Sequence, residues 1–420
     1  MNELGQGERI ASLDVIRGVA VMGIFSVNVI AFAMIEGAYF NPAAYGGHTG
    51  ADLLLWAVNM VVIDGKMRSL FSMLFGASML LVIERAEAGG RSGAAVHYRR
   101  MVVLLLFGLA HFYLIWFGDI LAAYALTGML AFVFRKRSPR SLAIWGSVFI
   151  ALNMALFAAV ATSMATFDKA AHLPGATAEQ IRSWNQFGLM FYPFPETIAK
   201  DIAVHADLGT RLHHMVTRRL AEPFVNSLVT GPETLGLMLL GMAGFKSGFL
   251  TGRWDLAAYR RVAVWGLTIG AIAFTLIVVA DIATHFYVPV VFGLFIVASA
   301  PFRVIMAFGF AALIILLARA GGPLSQRLAA AGRCAFSNYL GTSIIAAFIF
   351  YGWGLGLYAQ LSRWQAWAVA VPLVWAIMLL WSKPWLERFN YGPLEWAWRS
   401  LSRGRLEPMR RRPATLPATA

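Results

Sequence analysis

Apolar runs of about 20 residues recur along the whole of this chain. A run of that length crosses the hydrocarbon core of a bilayer as a helix. No water is present there to satisfy backbone groups, so a spanning segment must bond its own. The chain is 59% hydrophobic and only 13% charged, against about 25% charged in an ordinary soluble domain. It is therefore expected to be an integral membrane protein. The runs cover 16–35, 67–88, 99–116, 119–135, 141–162, 232–251, 258–280, 289–318, 334–351 and 364–382. The apolar segment 51–65 is short and ends at Asp64 and Gly65, so it is expected to be an interfacial or re-entrant helix.

Charge sets the orientation. Arg85, Arg91, Arg99 and Arg100 lie in one connection, and Arg135, Lys136, Arg137 and Arg140 in the next. Arg253, Arg260 and Arg261 form a third cluster, and Arg319, Arg327 and Arg333 a fourth. The alternate connections near Asp119, at Asp281 to Tyr287 and at Gly352 to Gln360 are nearly free of Lys and Arg. The positive-inside rule then places both termini on the cytoplasmic side. The expected fold class is an all-α polytopic membrane protein with about ten transmembrane helices, both termini inside, an interfacial helix and a long helical outer loop.

The expected organisation is a first membrane bundle over 1–162, an extracytoplasmic loop over 163–231, a second bundle over 232–382 and a cytoplasmic amphipathic helix with a basic tail over 383–420. Glu3, Glu8, Arg9 and Asp14 precede the first apolar run and no small-residue cleavage site follows it, so that run is expected to be retained rather than cleaved as a signal peptide. The formal charge of +14 is gathered beside the spans, which points to the phospholipid bilayer as a partner and not to nucleic acid. A single cysteine, Cys334, rules out an internal disulfide and a cysteine-based metal cluster. No metal site is expected, since Asp201 with His205 offers two ligands where zinc needs three or four. Oligomeric state is left open.

Polar residues within or beside the spans are the candidates for function, because ionisable groups there are costly. Asp14 and Arg17 share a helix face at the mouth of the first span, and Asn28 lies deep inside it. Asp64, Lys66 and Arg68 open another span, where the two cations and a helix N-terminus suit an anion. His111 and Asp119 are eight residues apart and so share a face, as a general base and its orienting carboxylate would. His48 lies in the glycine-rich Gly46-Gly47-His48-Thr49-Gly50, reachable from outside. A snorkelling or packing role is the competing reading for each.

The stretches RIASLDVIRGVAVMGIFSVNV, DGKMRSLFSMLFGASM and HFYLIWFGDILAAYALTGML, together with Ser337-Asn338-Tyr339-Leu340 and the closing YGPLEWAWRSL, resemble the bacterial YeiB-like family of inner-membrane proteins, whose C-terminal half is a domain of unknown function. The first-helix pattern is also similar to the transmembrane acyltransferases, a group that includes the acyltransferase-3 proteins and the lysosomal heparan-glucosaminide N-acetyltransferase. Arg17 matches the arginine of the acyltransferase-3 proteins, while Asn28 stands where they carry an essential histidine. In the heparan acetyltransferase branch the catalytic histidine lies in an outer loop, and His48 is its nearest counterpart here. The resemblance implies a membrane-embedded acyltransferase that moves an acyl group from a cytoplasmic acyl-CoA-type donor to an extracytoplasmic or lipid-linked acceptor. His48, His111 and Asn28 would be its catalytic residues, and Asp14, Arg17, Asp64, Lys66, Arg68 and Asp119 its substrate-binding residues. No permanently bound cofactor is implied, with acyl-CoA a substrate. The alternative is a transporter or a lipid- or metabolite-binding protein.

Overall fold

A computed structural model describes residues 11–188 and 191–411. Glu3, Glu8, Arg9 and the part of the basic tail after 411 lie outside the described residues. The first half of the chain holds α1 (Ala11–Ala33), α2 (Gly37–Phe40), α3 (Gly50–Val62), α4 (Lys66–Ala88), α5 (Gly93–Leu114), α6 (Leu121–Ala131), α7 (Pro139–Ala171), α8 (Ala178–Gly188), α9 (Pro195–Ala206) and α10 (Leu208–Arg218). The second half holds α11 (Glu222–Lys246), α12 (Leu256–Ala283), α13 (Val288–Phe292), α14 (Ala300–Arg319), α15 (Pro323–Arg333), α16 (Ala335–Phe350), α17 (Arg363–Arg388) and α18 (Pro393–Arg403). No strand occurs among the described residues. The protein is an all-α polytopic membrane protein.

Among the described residues, eight stretches are long and apolar enough to cross a bilayer by themselves, and α15 with α16, bent by 82°, make a ninth if counted as one broken span. The tenth expected crossing is the shorter apolar helix Leu121–Phe134, whose last turn tightens to a 3-10 helix at Phe132–Phe134. The short helix expected before Asp64 is α3, which joins α4 in one apolar stretch, Gly50–Ala88, of 39 residues. It thus leads into α4.

Two faces are defined by contacts between connections. On the basic face, Lys246 Nζ donates to the carbonyls of Arg135 and Arg137, Ser12 to Leu250, and Trp398 Nε1 to Arg100. On the opposite face, the Ala359 amide donates to Ala33 and the Arg363 amide to Gly46, and Trp364 to Asp52. The 163–231 connection is helical throughout most of its length, as expected. Its capping box is present, with Thr177 N donating to Gln180 Oε1 at 2.7 Å and Gln180 N to Thr177 Oγ1 at 3.2 Å. Arg211 of α10 is buried and bonds the Leu114 and Ile115 carbonyls at 3.4 and 2.5 Å. Those are orphan acceptors at the C-terminus of α5.

Small residues let the central helices touch. A Cβ at Gly76 would collide with the Met238 carbonyl, one at Gly241 with Met73, and one at Gly332 with Asp14. Close approach of this kind is the main source of packing energy between helices in lipid. It draws α4 onto α11 and α15 onto α1, the two junctions that flank the sites below.

Candidate functional site

The α1 entrance is built as its sequence implies. Arg17 Nη1 lies 3.0 Å from Asp14 Oδ1, its Nη2 is 2.7 Å from Ser78 Oγ, and Nη1 reaches the Gly332 carbonyl at 3.5 Å. Three elements therefore fix one guanidinium. It lines a cavity of about 240 Å³. Arg17, Arg100, Arg333, Glu395 and Trp398 border the cavity toward the basic face, and Phe75, Met101, Leu104, Leu121, Tyr124 and Tyr339 wall the rest. An apolar interior with a few polar groups at one end is the usual form of a site for an amphiphile.

Glu395 ties α18 to this cavity. Its Oε1 accepts from the Phe336 and Ser337 amides at 2.7 and 3.1 Å, and its Oε2 from Ser337 Oγ at 2.5 Å. A carboxylate at a helix N-terminus satisfies orphan amides and faces the positive end of the dipole. Burial nonetheless pushes the Glu395 carboxyl above its usual range, against the lowering effect of those hydrogen bonds.

His111 and Asp119 meet. Nδ1 is 2.8 Å from Oδ1, and both side chains are buried. The second Asp119 oxygen accepts from the Ala122 amide at 2.8 Å, which fixes the carboxylate at the start of α6. His111 Nε2 is buried without a hydrogen-bond partner. The imidazole lies 5.3 Å from the Tyr339 ring, centroid to centroid, and Tyr339 is part of the cavity wall. One aromatic ring thus separates the His–Asp pair from the cavity. A carboxylate on Nδ1 favours the tautomer that leaves Nε2 as an acceptor.

The other expected residues lie elsewhere. Asn28 is half-buried and absent from the walls of the Arg17 cavity. His48 is exposed with its ring 6.2 Å from Phe286, on the face opposite the cavity mouth. Asp64, Lys66 and Arg68 belong to a separate buried centre. Lys66 is fully buried, donates to the Met60 carbonyl and sits 3.0 Å from the Phe274 ring centroid. Arg68 pairs with Glu233 at 2.5 Å, and Asp64 accepts from Tyr39 at 3.0 Å. Arg303 completes the centre, 2.8 Å from the other Glu233 oxygen. The Lys66 and Arg68 donors expected to hold a ligand anion are thus engaged by the protein's own acceptors.

That centre lies at two interruptions. The α3–α4 break turns at Gly65, φ +72°, where a Cβ would strike the Arg303 side chain. The second is the π-helical turn Gly293–Ala298 ahead of α14. Arg303 reaches back to the Phe295 and Ile296 carbonyls at 3.4 and 3.3 Å. Non-helical backbone inside a membrane is tolerated where protein groups satisfy it. Pro232 precedes Glu233 and Pro301 precedes Arg303, local signals of broken helix.

Three comparisons place the chain. Residues 244–405 match the family described as "Protein of unknown function (DUF418)". Over 408 residues the chain is 32% identical to "Uncharacterized protein YxaH" of Bacillus subtilis (strain 168), covering 94% of each. Over 412 residues it is 31% identical to "Uncharacterized protein YeiB" of Escherichia coli (strain K12), covering 94% of this chain and 96% of that one. The chain belongs to the YeiB-like family. An "Uncharacterized 39.9 kDa protein in amylase 3'region" of Bacillus acidopullulyticus is 25% identical over 416 residues, 97% of this chain and 98% of that protein. No solved structure matches. The family match includes Tyr339 and Glu395 of the cavity, whereas Arg17, His111 and Asp119 precede it.

Proposed function

We propose that the protein is a membrane-embedded acyltransferase of the bacterial inner membrane, with its basic face toward the cytoplasm. The observation that carries this reading is the apolar cavity with cations at its mouth and a buried His111–Asp119 pair behind its Tyr339 wall. An acyl thioester of the acyl-CoA type would place its chain in the cavity, with its phosphates toward Arg17, Arg100 and Arg333. Guanidinium forks suit phosphate oxygens.

The chemistry assigned to the pair is general base catalysis. An acceptor hydroxyl or amine attacks the thioester carbonyl, and the proton lost by the acceptor passes to His111 Nε2. The carbon–sulfur bond breaks, and the departing thiolate recovers the proton. Asp119 holds the imidazole and stabilises its charged form. Tyr339 must turn aside for the acceptor and donor to meet. Asn28 and His48 are given no part in this step. The test is CoA release and acyl transfer by purified protein given palmitoyl-CoA and a membrane extract as acceptor source. Activity in the wild type that is lost in His111→Gln supports the reading. Equal activity in both overturns the residue's role, and no turnover with any acyl thioester overturns the class.

The Glu233 centre favours a second reading, transport. Interrupted helices with buried charges near mid-span are a feature of many secondary transporters. Proton-driven uptake of a solute into proteoliposomes, abolished in Glu233→Gln, would select it over catalysis.

A further inference from the structure

The basic face carries a groove of about 530 Å³ beside the cavity mouth. It runs between the α4–α5 connection and the C-terminal α18, and seven arginines line it: Arg85, Arg91, Arg99, Arg100, Arg399, Arg403 and Arg405. So many like charges around one groove repel each other and are stable only with anions nearby. One such anion is the protein's own Glu407. Glu407 lies 2.9 Å from Arg403, 3.2 Å from Arg405 and 3.9 Å from Arg399. A single carboxylate thus faces three guanidiniums, and Arg399 Nε is buried with no hydrogen-bond partner.

The groove is not isolated. Arg100 and Val82 line both it and the apolar cavity. The Arg100 guanidinium stacks 4.0 Å above the Trp398 ring, and Trp398 is itself a cavity residue. Head and tail sites of opposite character therefore share a wall. A nucleic acid or a soluble polyanion would use the groove and leave the cavity aside. A phospholipid with a single phosphate would match the charge of only a small part of a groove lined by seven arginines.

We propose that the groove binds the multiply phosphorylated head of an amphiphile whose acyl tail enters the cavity past Arg100. The ligand class is an acyl chain joined to a head with several phosphate charges, which a long-chain acyl-CoA and a lipid diphosphate both present. Arg399, Arg403 and Arg405 take the phosphates in bidentate fashion, Trp398 and Arg100 form the neck, and Phe75, Met101 and Leu104 receive the tail. The inference deepens the acyl-donor reading and rests on it only for the thioester.

The experiment measures binding to wild-type protein in neutral nanodiscs by tryptophan fluorescence, with palmitoyl-CoA, CoA alone, inorganic pyrophosphate and farnesyl diphosphate as probes. Palmitoyl-CoA is expected to bind roughly 100-fold more tightly than CoA, because its tail leaves water. Pyrophosphate is expected to compete with it, and affinity to fall as salt is raised. The double variant Arg399→Gln with Arg403→Gln is expected to weaken palmitoyl-CoA binding about tenfold or more. Tight farnesyl diphosphate binding with weak palmitoyl-CoA binding would assign the lipid diphosphate as the source, and the reverse the thioester. Unchanged affinity in the double variant overturns the proposal, as does equal affinity for CoA and palmitoyl-CoA. Displacement by phosphatidylglycerol nanodiscs at equal phosphate also overturns it, leaving a general lipid contact. Should the variant not fold, palmitoyl-CoA with a diazirine in its chain is expected to label α4 and α5 cavity residues of the wild type, and labelling confined to the outer surface overturns the tail site. Binding intact with no acyl transfer sinks the enzymatic reading and leaves the groove. Transfer with unchanged KM in the double variant sinks the groove and leaves that reading.

Discussion

His111 Nδ1 stands 2.8 Å from Asp119 Oδ1 with both side chains closed to solvent, and its Nε2 has no hydrogen-bond partner. The carboxylate on Nδ1 leaves Nε2 as the acceptor nitrogen, the geometry that the proposed general-base role requires. Replacing His111 by Gln is expected to lower acyl transfer roughly 100-fold or more while palmitoyl-CoA binding holds. Asp119→Asn is expected to lower transfer less, because the imidazole remains but its tautomer is no longer enforced. Turnover and binding measured on the same preparations check both.

Glu233 joins Arg68 and Arg303 from two different interrupted helices. Removing the shared carboxylate takes away the counter-charge of the buried Arg303 and the half-buried Arg68. Glu233→Gln is expected to cost about 3–5 kcal/mol, seen as a large drop in thermal stability in detergent. The triple variant with Arg68→Met and Arg303→Met is expected to regain much of that loss, since apolar replacements remove the orphaned charges. A triple variant no more stable than Glu233→Gln would refute this account.

Glu395 caps the start of α16 with three hydrogen bonds. Glu395→Ala is expected to destabilise by about 1–2 kcal/mol, the usual size of a lost N-cap. Ser337→Ala removes one of the same bonds, so the two effects should combine to less than their sum. Thermal unfolding of the singles and the double gives the coupling directly.

His205 of α9 is buried and stacks 4.1 Å from the Tyr358 ring, centroid to centroid. Burial holds its imidazole below the usual histidine range, more than nearby Asp201 raises it. A base depressed in the folded state binds fewer protons there than when unfolded, so stability rises with pH. The contribution is complete above the free-imidazole value of about 6.5 and is lost as pH falls toward the folded value. Hydrogen exchange in α9 and α10 is expected to quicken between pH 7.5 and 5, and His205→Phe is expected to flatten that response.

The helical crossings could be read from the sequence because their signal is local: a span needs only enough consecutive apolar residues. The 39-residue reach of Gly50–Ala88 was harder, since a charged break at Asp64–Gly65 looks the same whether a helix stops there or resumes in line. Asp14 with Arg17 and His111 with Asp119 were legible because each pair shares a helix face or one tight turn. Asn28 was singled out by its place in a run, yet nothing in a sequence tells which side of α1 meets a cavity. The Glu233–Arg303 pair is 70 residues apart, and the arginine groove joins residues near 90 and 400. Those arginines were read as topology signals, which they also are. Their convergence depends on α18 folding back against α5, and the mixed aromatic and basic character of YGPLEWAWRSL was its one trace.

The interrupted helices bear on how this chain enters a membrane. Arg68 is made 165 residues before Glu233, so through most of synthesis of the first half its guanidinium has no counter-charge in the bilayer. Arg303 follows Glu233 by 70 residues and finds an occupied carboxylate waiting. The segment before α14 is too short to enter as a span by itself; Arg303 reaches its Phe295 and Ile296 carbonyls, and Ser299 Oγ also donates to Phe295. The late segment before α14 is therefore held through an acid made 70 residues earlier, one that also pairs with Arg68 of the first half.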